Sequence, residues 1–377
     1  MVTSPLSFAA NRSGLLDDAL WARIHDRASR YDRDNSFFSE DLDELRAAGY
    51  LQPRPLNQLV ADQWWLAQAA PATALGIGMH LTWVSVATLL KKSGDPSLTW
   101  VLDDALRGEL FAFGVSEKGN DRVLTDSVTR VEKTTEGYAY WGTKIFTSLS
   151  PAWTRLSLLG RLDDQIVHGF ITRDTPGWSN EADWDTLGMR ATQSYTTHLE
   201  GAVVPHERVA RIVPVGESTD PFILAIYQSF LTLVSAVYAG ISARALTLAT
   251  TALKTRTSLR DGGQTLEHDP DLRWQIADIA LAVDGLEYPL MGLVQDVVTG
   301  VDHGPTWGRL LSGVKHRTVE TARDVVDRAL RLSGGRGYRR EEEISRLQRD
   351  VLAGVYHPSD TEAVHQSVAW SVLGGEA

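Results

Sequence analysis

The sequence predicts an α+β multidomain fold in three parts: an N-terminal helical domain over residues 1–110, a middle antiparallel β-barrel over 111–213, and a C-terminal four-helix bundle over 214–377. Apolar residues recur at helical spacing as far as Leu110. The texture then switches to short β-branched and aromatic runs cut by turn residues. Helical spacing returns after the polar stretch 214–221 and persists.

In the first part, Leu42, Leu45 and Ala48, and later Val84, Val86, Leu89 and Leu90, follow the helical period. In the second, runs 127–133 and 138–141 flank Thr134, Thr135, Glu136 and Gly137, a hairpin signature. Runs 155–161 and 166–172 flank Leu162, Asp163, Asp164 and Gln165, and run 195–204 stops at Pro205, so an antiparallel barrel or sandwich is expected. In the third, helices are expected near 223–255, 271–299, 305–332, 344–355 and 361–373, with a loop at 261–269. The helix over 305–332 carries Leu311, Val314, Ala322, Val325 and Ala329 on one stripe, with Pro305 near its start and Gly334 and Gly335 past its end.

With 37 basic against 48 acidic residues, the net charge of -11 disfavours nucleic acid and anionic membrane as partners. The absence of cysteine excludes disulfides, thiolate nucleophiles and thiolate-bound metal. The ten histidines show no closely spaced ligand cluster, so no metal site is expected. No stretch reads as a secretory signal, and the most apolar one, 230–246, carries Ser235, Ser242 and Arg244, so a cytoplasmic protein without membrane insertion is expected.

Several segments then resemble, in order, the acyl-CoA dehydrogenase superfamily. Residues 113–119 (FGVSEKG) look like its flavin loop, with Ser116 for threonine and Lys118 for proline, and 142–148 (GTKIFTS) like its glycine-threonine-lysine strand. Residues 187–192 (LGMRAT) and 203–208 (VVPHER) resemble the motifs that close its β-domain, and 333–338 (SGGRGY) followed by Arg349 and Asp350 resembles its C-terminal pattern. The resemblance runs from about Phe113 to Gly374 and implies FAD as cofactor, or FMN in the monooxygenase branch. It implies Val115, Ser116, Phe146, Thr147 and Ser148 along the flavin ring, with hydroxyl or backbone donors and an aromatic wall. Arg256, Gly334, Gly335 and Gly337 would meet its phosphate and adenosine end, although one of these glycines also suits a helix C-cap.

The family's proton-abstracting glutamate lies in a tyrosine-glutamate-glycine-threonine stretch, and the corresponding run here is Val355, Tyr356, His357, Pro358, Ser359. The alternative acid position, near Phe230 and Leu231, is also empty, and Ser359 with Glu362 has the pattern of a capping box. His357 is therefore the candidate catalytic residue, and His80, in an apolar helix, a second one, because histidines at similar places flank the flavin in the monooxygenases of this fold. The plain alternative for each is a buried, hydrogen-bonded residue.

The first expectation is α,β-dehydrogenation of an acyl thioester, on CoA or a carrier protein, with an altered base. The alternatives are a reduced-flavin-dependent monooxygenase and a non-catalytic binding subunit. The resemblance also implies a homodimer or homotetramer, and a flavin reductase or electron-transfer flavoprotein as redox partner.

Overall fold

The computed structural model describes residues 4, 6–216 and 218–374; the other positions of the expected terminal segments and Glu217 lie outside it. Six helices come first: α1 (Phe8–Asn11), α2 (Asp18–Asp34), α3 (Ser39–Ala47), α4 (Leu56–Ala69), α5 (Pro71–Lys92) and α6 (Thr99–Leu106). The strands follow: β1 (Phe111–Gly114), β2 (Arg130–Lys133), β3 (Gly137–Thr147), β4 (Arg155–Leu162), β5 (Gln165–Thr172), β6 (Trp178–Glu181), β7 (Tyr195–Pro205) and β8 (Val209–Pro214). Then come α7 (Pro221–Thr255), a short hairpin of β9 (Thr257–Ser258) and β10 (Gln264–Thr265), α8 (Pro270–Thr299), α9 (Trp307–Ser333), α10 (Glu343–Asp350) and α11 (Thr361–Leu373). The helical, β, helical order is the expected one.

The sheet corrects one expectation, because it is mixed rather than antiparallel. Its strands pair in the order β6-β7-β3-β2-β4-β5-β8, and β1 joins β4 in parallel, Phe111 beside Arg155 and Gly114 beside Leu158. Hairpin signals mark only strands joined by a tight turn. β1 reaches β4 after the β2–β3 hairpin has intervened, so nothing local in the sequence marks that pairing. The expected loop 261–269 contains β10, which folds back on β9.

The helices start and stop where side-chain chemistry permits. Asp17, Asp220, Asp269 and Asp360 each accept a backbone N–H in the first turn of α2, α7, α8 and α11. The α11 cap is thus Asp360, receiving Ala363 N at 2.8 Å, and not the expected Ser359 and Glu362 pair. Two helices, Pro71–Lys92 and Pro221–Thr255, are long and apolar enough to cross a bilayer, and both bury most of that surface inside the fold.

α7 packs on α9, α4 and α5, so the N-terminal and C-terminal helices share one core. Trp83 of α5 fastens the strands to it, meeting Phe113 of β1 and Phe170 of β5 edge-on at 5.3 and 4.7 Å. Phe113 continues to Phe230 of α7 at 5.5 Å. The buried side chains of Trp83, Phe113 and Phe170 contribute about 1.5–3 kcal/mol each. The 187–192 segment is clamped onto the end of α10. A Cβ on Gly188 would stand 2.2 Å from Arg349 O, so only glycine permits the contact, and Met189 N donates to Asp350 Oδ1 at 2.6 Å.

Candidate active site

Two stretches far apart in sequence, the loop after β1 and the end of β3, meet at Ile145, whose N–H donates to Ser116 O at 2.9 Å. Beneath them is a buried ion pair that the sequence reading passed over, between Glu117 and Lys144. Lys144 Nζ donates to Glu117 Oε1 at 2.7 Å and to Leu159 O at 2.6 Å. The same carboxylate accepts Ser127 Oγ, Thr129 N, Val128 N and Asn120 Nδ2 at 2.8 to 3.0 Å. Burial pushes the Glu117 carboxyl up, but the Lys144 charge and these hydroxyls outweigh it and hold it at about 2. A buried pair satisfied this completely serves to fix the backbone that carries it. Both residues lie inside the matched family segments, and that was the only signal for them.

Of the expected ring-lining residues, Val115 is buried and Ser116 half-buried. The Ser116 hydroxyl has no hydrogen-bond partner among the described residues. Thr147 Oγ1 instead accepts Thr197 Oγ1 at 3.2 Å, and Ser148 Oγ pairs with Ser194 Oγ at 2.8 Å. Both hydroxyls are buried and engaged inside the protein, so the backbone of these two positions is what suits a ligand.

Phe146 lies in a bulge, where the β3–β7 register shifts between Lys144 and Thr147. Its backbone is left-handed at φ 59 and its ring is 52% exposed, edge-on to Trp184 at 5.9 Å. Among the described residues seven non-glycine positions have positive φ, and five of them, Asn35, Phe146, Leu149, Met189 and Gln193, share this patch. Hydrogen bonds join them: Leu149 N to Thr192 O at 3.2 Å, Gln193 Nε2 to Asn35 O at 2.9 Å, Trp184 Nε1 to Met189 O at 3.3 Å and Asn35 Nδ2 to Trp184 O at 2.6 Å. At about 1–3 kcal/mol each, such conformations persist only where the surroundings enforce them, and they cluster at functional sites.

His357 sits on the turn between α10 and α11, half-buried, with Nε2 at 2.8 Å from the Tyr238 hydroxyl. With the phenol donating, the ring proton rests on Nδ1, which has no partner among the described residues. Burial, reinforced by the nearby Lys315 ammonium, pushes the imidazole down to about 3, so it stays neutral around pH 7. Tyr356 beside it is exposed.

His80 is placed differently. It is wholly buried, Nε2 donates to Leu51 O at 2.8 Å, and Nδ1 accepts Phe111 N at 3.2 Å. Burial pushes it down to about 4. Both ring nitrogens are committed to backbone groups, so the catalytic expectation for His80 meets a residue that ties α5 to β1 and to the chain after α3. Its partners are wholly different from those of His357.

The expected phosphate-end residues do come together. Arg256, at the C-terminus of α7, donates from Nη1 to Leu332 O at 2.7 Å. Its guanidinium covers Gly334, where a Cβ would stand 2.5 Å from Nη2, and Gly334 ends α9 at φ 67. Gly335 is open on its Cβ side. Gly337 is a packing position instead, with Leu330, Ser333 and Ile344 within 3.3 Å of a hypothetical Cβ. No group of three or more His, Asp or Glu among the described residues could hold a metal ion.

Comparison with known proteins fits this architecture. Residues 232–355 match the acyl-CoA dehydrogenase C-terminal domain, a match that stops just before Tyr356 and His357. The chain is 24% identical over 369 residues to YdbM of Bacillus subtilis (strain 168), whose name puts it provisionally among acyl-CoA dehydrogenases, covering 91% of each chain. It is 28% identical over 284 residues to the amino sugar nitrososynthase DnmZ of Streptomyces peucetius, covering 71% of this chain and 67% of that one. The structure of KijD3 in complex with FMN and dTDP-3-amino-2,3,6-trideoxy-4-keto-3-methyl-D-glucose superposes with a TM-score of 0.85 at 22% identity, covering 100% of this chain and 95% of that one. Residues 232–355 thus carry an acyl-CoA dehydrogenase C-terminal domain, and the chain as a whole has the fold that butyryl-CoA dehydrogenase shares with the nitrososynthases.

Proposed function

We propose that this protein is a reduced-flavin-dependent oxygenase acting on a small molecule, with His357 as its working side chain. The observation that carries this reading is the His357–Tyr238 hydrogen bond, in a stretch that the sequence resemblance aligns with the glutamate of the dehydrogenases. Abstracting an α-proton needs a base whose pKa lies near the working pH. An imidazole pushed down to about 3 is a poor base, but its free N–H donates a hydrogen bond without adding charge to the site. A bound reduced flavin would supply the electrons that activate oxygen.

The residues suit such a group. Phe146 presents a half-exposed ring from an enforced bulge, a surface that a flat aromatic face would cover, and Ser116, whose carbonyl bonds the preceding Ile145, keeps a free hydroxyl. Arg256 spends one of its N–H donors on Leu332 O, and the rest, with the open backbone at Gly335, suit a phosphate. Val115 and the backbone of Thr147 and Ser148 would complete the ring-side wall. His80 is left out of the chemistry, and Gly337 out of cofactor contact.

A second reading is dehydrogenation of an acyl thioester by bound FAD. It is favoured by the Arg256–Gly334 pairing, because the resemblance sets these residues toward an adenosine end that FAD has and FMN lacks. One preparation separates the two. FMN and FAD, each reduced anaerobically, are titrated into the protein and oxygen is then admitted. Tight binding of the reduced flavin and slowed flavin reoxidation are expected. Bleaching of an oxidised-flavin complex by acyl-CoA without oxygen would overturn the oxygenase reading and support the second.

A further inference from the structure

A single cation fastens the turn that carries His357. Lys315 lies on α9, is 2% exposed, and donates from Nζ to Gly354 O at 3.0 Å, His357 O at 2.8 Å and Ser359 O at 2.8 Å. All three ammonium donors are spent, each on a backbone carbonyl of the same turn. Among the described residues no carboxylate lies within ion-pair distance of it. Burying a lysine without a paired carboxylate costs free energy, and what it obtains here is a fixed backbone. Tyr238 grips the turn from the other side, its hydroxyl on His357 Nε2 and its ring so close to Gly354 that a Cβ there would stand 2.9 Å from Cε1.

We propose that Lys315 is a positioning residue: its ammonium holds the 354–359 turn so that His357 stays against Tyr238, and loss of that charge releases the turn. The functional consequence rests on the reading of His357 given above, whereas the geometry can be tested without it. Burial pulls Lys315 down to about 8, against the opposing fields of Asp360 at the start of α11 and Glu320 on α9. Its charge is felt in turn by His357 on the turn and by His316 on α9, and Tyr238 of α7 stands beyond His357. His357, at about 3, and Tyr238, pushed well above the ordinary phenol range by burial, keep their protonation through that step.

The sign of the linkage makes the effect local. The folded value of about 8 lies below the ordinary 10.5, so between the two the unfolded chain binds more protons. Through Lys315, global stability therefore rises with pH across that interval, while the turn loses its charge-assisted bonds. A general loosening of the protein would release the turn but lower global stability with it.

The test is nitrogen NMR of the histidine-labelled chain without flavin, with His357 assigned through His357→Gln, from about pH 6.5 to about 9.5. The His357 Nε2 signal is expected to shift in one step near 8, as its bond to Tyr238 changes. Lys315→Met is expected to show the high-pH signal at every pH, and Lys315→Arg to restore the low-pH signal only in part, because a planar guanidinium cannot reach three converging carbonyls. A wild-type signal constant across the range overturns the proposal, as does a wild-type signal in Lys315→Met. Should Lys315→Met fail to fold, the wild-type titration decides alone. A clean titration in a protein without oxygenase activity would remove the functional reading and leave Lys315 as the clamp.

Discussion

His80 and His357 begin from the same chemistry and reach opposite ends. Burial pushes both imidazoles down, to about 4 and about 3, so neither carries charge at neutral pH. His80 spends both nitrogens on backbone groups of Leu51 and Phe111. His357 spends one, on the Tyr238 hydroxyl, and keeps the other. The difference teaches that a shifted pKa does not by itself mark a site, because desolvation shifts structural histidines as strongly. Unspent hydrogen-bonding capacity on a positioned turn is what separates the two.

The largest effect that would sharpen this contrast is on turnover. His357→Ala should lower the rate with reduced flavin and oxygen by about 10²–10³-fold, the usual worth of a positioned hydrogen-bond donor, and move the urea midpoint little. Equal rates in steady-state assays would break the comparison. His80→Phe should do the reverse. It leaves Leu51 O and Phe111 N–H buried without partners and should cost about 3–4 kcal/mol in urea unfolding, with the activity per folded molecule kept within about threefold.

The next effect is on acid stability. His80 titrates at about 4 in the folded chain against 6.5 in the unfolded one, so the stability it supports is present above 6.5 and lost as pH falls through 4. That loss is about 3 kcal/mol, and His80→Phe should remove it from the pH dependence of unfolding, leaving the slope due to His357 and to His168, which burial also pushes down to about 3. An unchanged slope would show that His80 is not buried neutral. The smallest effect belongs to Tyr238→Phe. It should cost about 1 kcal/mol and raise the apparent pKa of His357 seen by NMR, because a donor to the neutral ring has been removed.

The sequence carried the helices well, because each spans several turns of a repeating apolar pattern. The α9 stripe and Gly334 at its end marked its limits closely, and the expected 344–355 helix proved to be α10 followed by the short 3-10 turn Val351–Val355. Local competition misled the reading at Ser359, where Asp360 was one residue better placed to cap α11. The parallel β1–β4 pairing left no local mark. The left-handed patch left none either, because Phe146, Leu149 and Met189 are residue types that avoid that conformation unless tertiary contacts impose it. Glu117, Lys144 and Lys315 are charged residues whose types predict a solvated surface, and only their burial reveals a structural task.

By itself the sequence determined the order of helical and β regions, the absence of thiol chemistry, and the family resemblance with its expectation that Tyr356, His357 and Pro358 take the place of a glutamate. These are properties of composition and of local pattern, which survive without coordinates. Only the tertiary structure decided that His80 is spent and His357 is not, that the Thr147 and Ser148 hydroxyls are used internally, and that one lysine holds the turn. The reason is physical. What a polar side chain can do depends on which of its donors and acceptors remain unpaired, and its partners lie far away in the chain.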